Sequence, residues 1–169
     1  DGLRAPDDAR DVQVLDSRFD QVGMLGMPRR SRGAIVFELA QRVIVQRNRI
    51  RDAGYIGIRV FRDALVRDNE IVRVCQRPDD CGGIYTFARD RQPLHVNIEN
   101  NRIRRLGGRS TYAIYLDDFA NGVRVAGNEL VDNPGGMQLH NGFDNEIAGN
   151  AFINSQRQHI LFNETADVA

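Results

Sequence analysis

The stretch Gly122-Val123-Arg124-Val125-Ala126-Gly127-Asn128-Glu129-Leu130 decides how this chain is read. At its centre stand an aliphatic residue, two free positions, an Asn, one free position and an apolar residue: Val125–Asn128–Leu130. The same pattern occurs at Val45–Asn48–Ile50, Val66–Asn69–Ile71, Ile98–Asn101–Ile103 and Ile147–Asn150–Phe152. A weaker copy, Val14–Ser17–Phe19, has Ser in place of Asn. The asparagines are 21, 32, 27 and 22 residues apart. A self-similar unit of this length is the mark of a repeat architecture.

A second element lies between the copies: a small residue, then a short alternating segment. It reads Ala34–Ile35–Val36–Phe37, Gly57–Ile58–Arg59–Val60, Gly83–Ile84–Tyr85–Thr86, Ala113–Ile114–Tyr115–Leu116 and Gly136–Met137–Gln138–Leu139. His159–Ile160–Leu161–Phe162 begins a sixth copy, with His in the small position. Both elements are too short for ordinary helices and alternate with period two, so both are strands. One unit of this size cannot close a core alone. Stacking the copies at the ~4.8 Å strand spacing buries their apolar positions in continuous columns. Inward positions are Ile35, Ile58, Ile84, Ile114, Met137 and Ile160, with Val45, Val66, Ile98, Val125 and Ile147. The recurrent Asn falls at a bend, where it bonds backbone, tolerates a left-handed conformation and stacks into a ladder at one corner. The expected fold is all-β: a right-handed parallel β-helix, a β-solenoid of about six coils.

Tyr115-Leu116-Asp117-Asp118 followed by Gly122 to Asn128 resembles the right-handed parallel β-helix repeat proteins, over roughly residues 12 to 163. That group includes pectate-lyase-like polysaccharide lyases, mannuronan epimerases and related carbohydrate-active proteins. The Asp-Pro-His motif of the epimerases is not found in this chain.

Composition narrows the partners. The 169 residues suit one domain, 1–169, read as a segment of a longer solenoid because neither terminus looks like a cap. Acidic and basic residues balance at 23 each, which points to no nucleic-acid partner and no anionic membrane. All 23 basic residues are arginine. Arginine stays charged and forks onto carboxylates, although a GC-rich genome produces the same usage.

The period breaks near 20–33, 73–83 and 87–93, and insertions in a repeat map to loops on one face. The first break holds the basic run Pro28-Arg29-Arg30-Ser31-Arg32. The second holds Cys75 and Cys81, which form either a loop-closing disulfide, two free thiols or a metal pair. A disulfide would favour an extracytoplasmic or secreted protein. Asn163-Glu164-Thr165 matches a glycosylation sequon.

Alternation assigns two outward columns: Val36, Arg59, Tyr85, Tyr115, Gln138, Leu161 and Glu38, Phe61, Phe87, Asp117, His140, Asn163. The resemblance places a substrate groove along such a face. Tyr85, Phe87 and Gln138 would then bind the polysaccharide, while His140, Asp117, Arg59 and Tyr115 carry the chemistry. Asp117 and His140 share a column in successive coils, ~5 Å apart, where a carboxylate orients an imidazole for proton transfer. The same pair also reads as a ladder that stabilises stacking, and the aromatics also read as packing beneath a loop. No cofactor and no metal ligand set is assigned. The adjacent carboxylates of Asp117 and Asp118 could hold Ca²⁺, as happens in several lyases of the family the chain resembles. His95 is expected to face solvent on another sheet.

Three functions compete at this level. A lyase or epimerase would act on an acidic polysaccharide, with Arg59 neutralising the carboxylate and His140 or Tyr115 moving the C5 proton. A glycoside hydrolase needs two carboxylates across the groove, Asp117 with Glu38 or Asp118, and Glu38 lies three coils from Asp117, too far for that pair. A non-catalytic carbohydrate-binding or structural module of a larger protein is the third.

Overall fold

A computed structural model describes residues 2–24, 33–76, 79–88 and 90–164. The basic run at 28–32, Pro78, Arg89 and Thr165 lie outside the described residues. Strands are numbered β1 to β19 in chain order, and no helix occurs among the described residues. None is therefore long and apolar enough to cross a membrane.

The strands form three parallel sheets. The first holds β1 (Leu3–Arg4), β4 (Gly33–Val36), β7 (Ile56–Arg59), β10 (Cys81–Phe87), β13 (Thr111–Asp117), β16 (Gly135–His140) and β19 (Ile160–Asn163). The second holds β2 (Gln13–Leu15), β5 (Gln41–Gln46), β8 (Arg62–Arg67), β11 (Val96–Glu99), β14 (Val123–Ala126) and β17 (Glu146–Ala148). The third holds β3 (Arg18–Asp20), β6 (Arg49–Arg51), β9 (Glu70–Val72), β12 (Arg102–Arg104), β15 (Glu129–Val131) and β18 (Ala151–Ile153). Each coil passes through the second, third and first sheet in turn, and each strand pairs with its counterpart one coil away. The chain is a right-handed parallel β-helix.

Register follows the repeat. Ile35 pairs with Ile58, Ile58 with Ile84, Ile84 with Ile114, Ile114 with Met137 and Met137 with Ile160. The first five of these, with Val45, Val66, Ile98 and Val125, are fully buried, while Ile147 and Ile160 in the last coil are partly buried. The preceding small-residue column has a steric cause. A Cβ on Gly83 would stand 2.9 Å from Ile103 Cγ2 and 2.7 Å from the Ala113 carbonyl oxygen. The inward side chains of the third sheet and the backbone of the next coil already occupy that volume.

The asparagine ladder runs through the corner between the second and third sheets. Each Oδ1 accepts the backbone N–H of the Asn one coil earlier: Asn48 to Asn69, Asn69 to Asn101, Asn101 to Asn128 and Asn128 to Asn150, at 2.9–3.0 Å. Each Nδ2 donates to the aliphatic member of the preceding motif copy, as from Asn69 to the Val45 carbonyl at 2.9 Å and from Asn101 to that of Val66 at 2.9 Å. Ser17, the weak copy, heads the ladder by donating its N–H to Asn48 Oδ1. The motif spacing is thus the length of backbone between a strand carbonyl and the bend beside it.

One detail differs from the sequence reading. The left-handed residue is not the ladder Asn but the one before it: Asp16, Arg47, Asp68, Asn100, Gly127 and Gly149 all have φ between 50° and 65°. A second corner repeats this with Gln21, Asp52, Arg73, Arg105, Asp132 and Asn154, and a third with Asp11, Arg42, Asp63, His95, Gly122 and Asp144. Forked ion pairs bridge coils at these corners. Arg42 binds both oxygens of Asp11, Arg47 those of Asp16 and Arg73 those of Asp52. Each fork holds its aspartate below the usual carboxylate range. Planar guanidinium is the cation that can make such two-pronged contacts. Cys75 and Cys81 form a disulfide that closes the loop leading into β10.

Candidate functional site

The outward columns stack as the alternation requires: Val36 beside Arg59, Arg59 beside Tyr85, Tyr85 beside Tyr115, Tyr115 beside Gln138 and Gln138 beside Leu161. Phe87 stands beside Asp117, and His140 beside Asn163. Their exposure is lower than an open groove implies. Arg59, Phe87, Tyr115 and Gln138 are buried, at 6–7% exposed, and Tyr85 is half-buried. The large side chains cover one another. Phe61 packs on Phe87 at 5.5 Å between ring centroids, Tyr85 meets Tyr115 edge to face at 5.4 Å, and Tyr112 lies 6.0 Å from Tyr115. The Arg59 guanidinium sits 5.0 Å from the Tyr85 centroid and 4.9 Å from that of Phe87. It is also paired with Glu38 at 3.3 Å.

Asp117, at the end of β13, gathers the polar groups. His140 Nδ1 lies 2.7 Å from its Oδ1, and the Asp118 N–H donates to that oxygen at 2.9 Å. The Tyr85 hydroxyl donates to Oδ2 at 2.7 Å, and the Tyr115 ring packs edge-on against Tyr85 beside it. Tyr85 and Asp117 are not directly opposite: Tyr85 pairs with Tyr115, two residues before Asp117. That diagonal is within reach of a long aromatic side chain. Burial, followed by the Asp117 charge, drives the Tyr85 pKa far above the ordinary phenol range. Tyr115 is raised by the same two causes, with Asp80 adding to them. Both phenols therefore keep their protons, and Tyr85 acts as a donor. His140 Nε2 is screened from solvent and has no hydrogen-bond partner among the described residues.

The structure thus brings Asp117, His140, Tyr85 and Tyr115 together and groups Arg59 with Tyr85, Phe87 and Glu38. Gln138 lies in the same stack without a direct bond to that carboxylate among the described residues. His95 is exposed at the corner just before β11, not on a sheet face, and exposed His159 meets Ser155 Oγ at 3.0 Å. The sequence reading missed the Glu38–Arg59 pair and the Tyr85–Asp117 bond. The signal for both was the diagonal offset of two between the outward columns.

The family model for the right handed beta helix region matches residues 7–152. The chain belongs to that family. No curated protein and no solved structure matches the chain. As a right-handed β-helix protein it has its fold assigned by family, while its chemistry must be argued from its own residues.

Asp117, Asp118 and His140 are close enough for one atom from each to meet a single ion. Ca²⁺ takes six to eight oxygens. Here one of the three donors is an imidazole nitrogen, and both Asp117 oxygens already accept hydrogen bonds. This donor set does not fit Ca²⁺.

Proposed function

We propose that this β-helix protein acts on an acidic polysaccharide by lyase- or epimerase-like proton abstraction, with His140 as the base and Asp117 as its orienting partner. The Asp117–His140 contact at 2.7 Å carries the reading. A carboxylate on Nδ1 commits that nitrogen and leaves Nε2 as the one able to take a proton. A uronate C5 hydrogen is acidic enough for such a base because the adjacent carboxyl delocalises the resulting charge. Loss of the 4-oxygen then gives an unsaturated product, and reprotonation from the other face gives an epimer. Tyr115, held protonated, is the donor of the set. Arg59 keeps Glu38 and the aromatic stack in place. The Cys75–Cys81 disulfide fits an oxidising compartment, and the reading places the protein outside the cytoplasm or in secretion.

The test is an oligouronate panel followed by unsaturated-product absorbance and by proton exchange at C5, comparing wild type with His140→Ala. Expected is a 10²–10⁴-fold loss, the range for removal of a general base, with an unchanged thermal midpoint. Equal turnover in the variant would overturn the assignment.

A second reading is a non-catalytic carbohydrate-binding or structural module. The screening of Nε2 favours it. It predicts no turnover on any member of the panel.

A further inference from the structure

Five side chains from five successive coils of the first sheet form one continuous run of contacts. Glu38, just past β4, pairs with Arg59 of β7 at 3.3 Å. The Arg59 guanidinium lies on the Tyr85 ring of β10 at 5.0 Å. The Tyr85 hydroxyl donates to Asp117 Oδ2 of β13 at 2.7 Å, and Asp117 Oδ1 meets His140 Nδ1 of β16 at 2.7 Å. Each step advances one coil, and the run ends on an imidazole.

We infer that Tyr85 is a positioning residue rather than a substrate contact: by pinning Asp117 Oδ2 it turns Oδ1 toward His140 and holds that ring as the Nδ1–H tautomer. The physical reason is the two-fold freedom of a carboxylate. An aspartate carboxyl rotates broadly about its last torsion. With Oδ2 tied by Tyr85 and Oδ1 by the Asp118 N–H at 2.9 Å, that rotation is stopped. An ionised carboxylate is acceptor-only, so the imidazole nitrogen facing it must be the one bearing hydrogen. Tyr85 is itself held on two sides, by the Tyr115 ring at 82° to its own and by Arg59, whose position Glu38 sets. Asp118 Oδ1, 4.0 Å from His140 Nδ1, is the other charged group facing this nitrogen, and Asn163 stands beside His140 in the next coil. The inference rests on the reading above only for what Nε2 then does. The tautomer itself is independent of any substrate.

The experiment is two-bond ¹H–¹⁵N correlation of ring nitrogens in ¹⁵N-histidine-labelled protein, above the pH where the ring titrates. His140 is assigned against His95 and His159 with His140→Gln. Expected in the wild type is one pyrrole-type nitrogen at Nδ1 and one pyridine-type nitrogen at Nε2. Tyr85→Phe keeps the ring packing and removes only the hydroxyl, and is expected to lose the single-tautomer pattern. Glu38→Gln, a half-exposed site at the far end of the run, is expected to move it partway and reads the same signature should Tyr85→Phe not fold. Unchanged His140 ring shifts in a folded Tyr85→Phe or Glu38→Gln protein would overturn the inference, as would an Nε2–H tautomer in the wild type. A protein with the expected tautomer and no turnover on any oligouronate leaves the positioning role standing and removes only the proposed reaction.

Discussion

Asn101 Oδ1 accepts both the backbone N–H and the side-chain amide of Asn69, at 3.0 and 2.9 Å. One buried oxygen thus satisfies two donors from the neighbouring coil, and Asn101 passes the same arrangement on to Asn128. Each unit of the ladder depends on the next.

Asn101→Ala should therefore cost more than one hydrogen bond. It strands the Asn69 N–H and the Val66 carbonyl in a region where Asn69 and Asn101 are 1–2% exposed. Each buried orphan costs about 1–3 kcal/mol, so denaturant unfolding should show a loss of about 2–6 kcal/mol on that basis. Ser17→Ala, where the side chain bonds only the Leu15 carbonyl among the described residues, should cost far less.

Core position should set the cost of truncation along the axis. Ile114 is fully buried in a central coil, and Ile114→Ala should destabilise by about 2–5 kcal/mol. Phe162, 69% exposed in the last strand of the same sheet, should lose no more than about 0.5 kcal/mol when changed to Ala. Thermal midpoints of the two variants would separate these outcomes, and equal shifts would contradict the register.

Reducing the disulfide should loosen the chain by about 2 kcal/mol, the loop-entropy value for so short a ring. Cys75→Ser with Cys81→Ser should show this loss even under oxidising conditions, since serine cannot form the bond. Equal denaturation midpoints for this double variant and the wild type would mean the bond contributes nothing.

The forked pairs set an acid limit. The Arg73 fork holds the Asp52 pKa below the usual carboxylate range, so the unfolded chain binds a proton more readily than the folded one. The stabilisation is complete above about pH 4 and disappears as pH falls through the folded value. Asp52→Asn should flatten the fall in stability between pH 5 and 2, roughly the window for a depressed carboxylate. High salt should weaken the difference, because the pair is only half-buried.

Much of this molecule is legible before folding. The aliphatic-x-x-Asn spacing gives the ladder from Asn48 to Asn150, and the small-residue segments give the registers that join Ile35 to Ile160. Both are local facts of period and steric size, repeated until chance is excluded. The left-handed positions were misplaced by one residue, because charged side chains also occupy them, Arg47 held by its fork with Asp16 and Asp68 by Gln46 of the neighbouring coil.

The amino-acid sequence alone determined the coil repeat, the inward residues and the columns that hold Asp117 and His140. Only the tertiary structure decided what those columns do. Alternation says which side of a sheet a residue faces, but exposure depends on how far its neighbours reach. Here Phe61, Phe87, Tyr85, Tyr115 and Arg59 close over their own face. Period two also pairs residues straight across, whereas the bonds that shape the site, Glu38 to Arg59 and Tyr85 to Asp117, run on the diagonal. A long side chain spans that offset only when packing aims it, and packing is a property of the assembled coils.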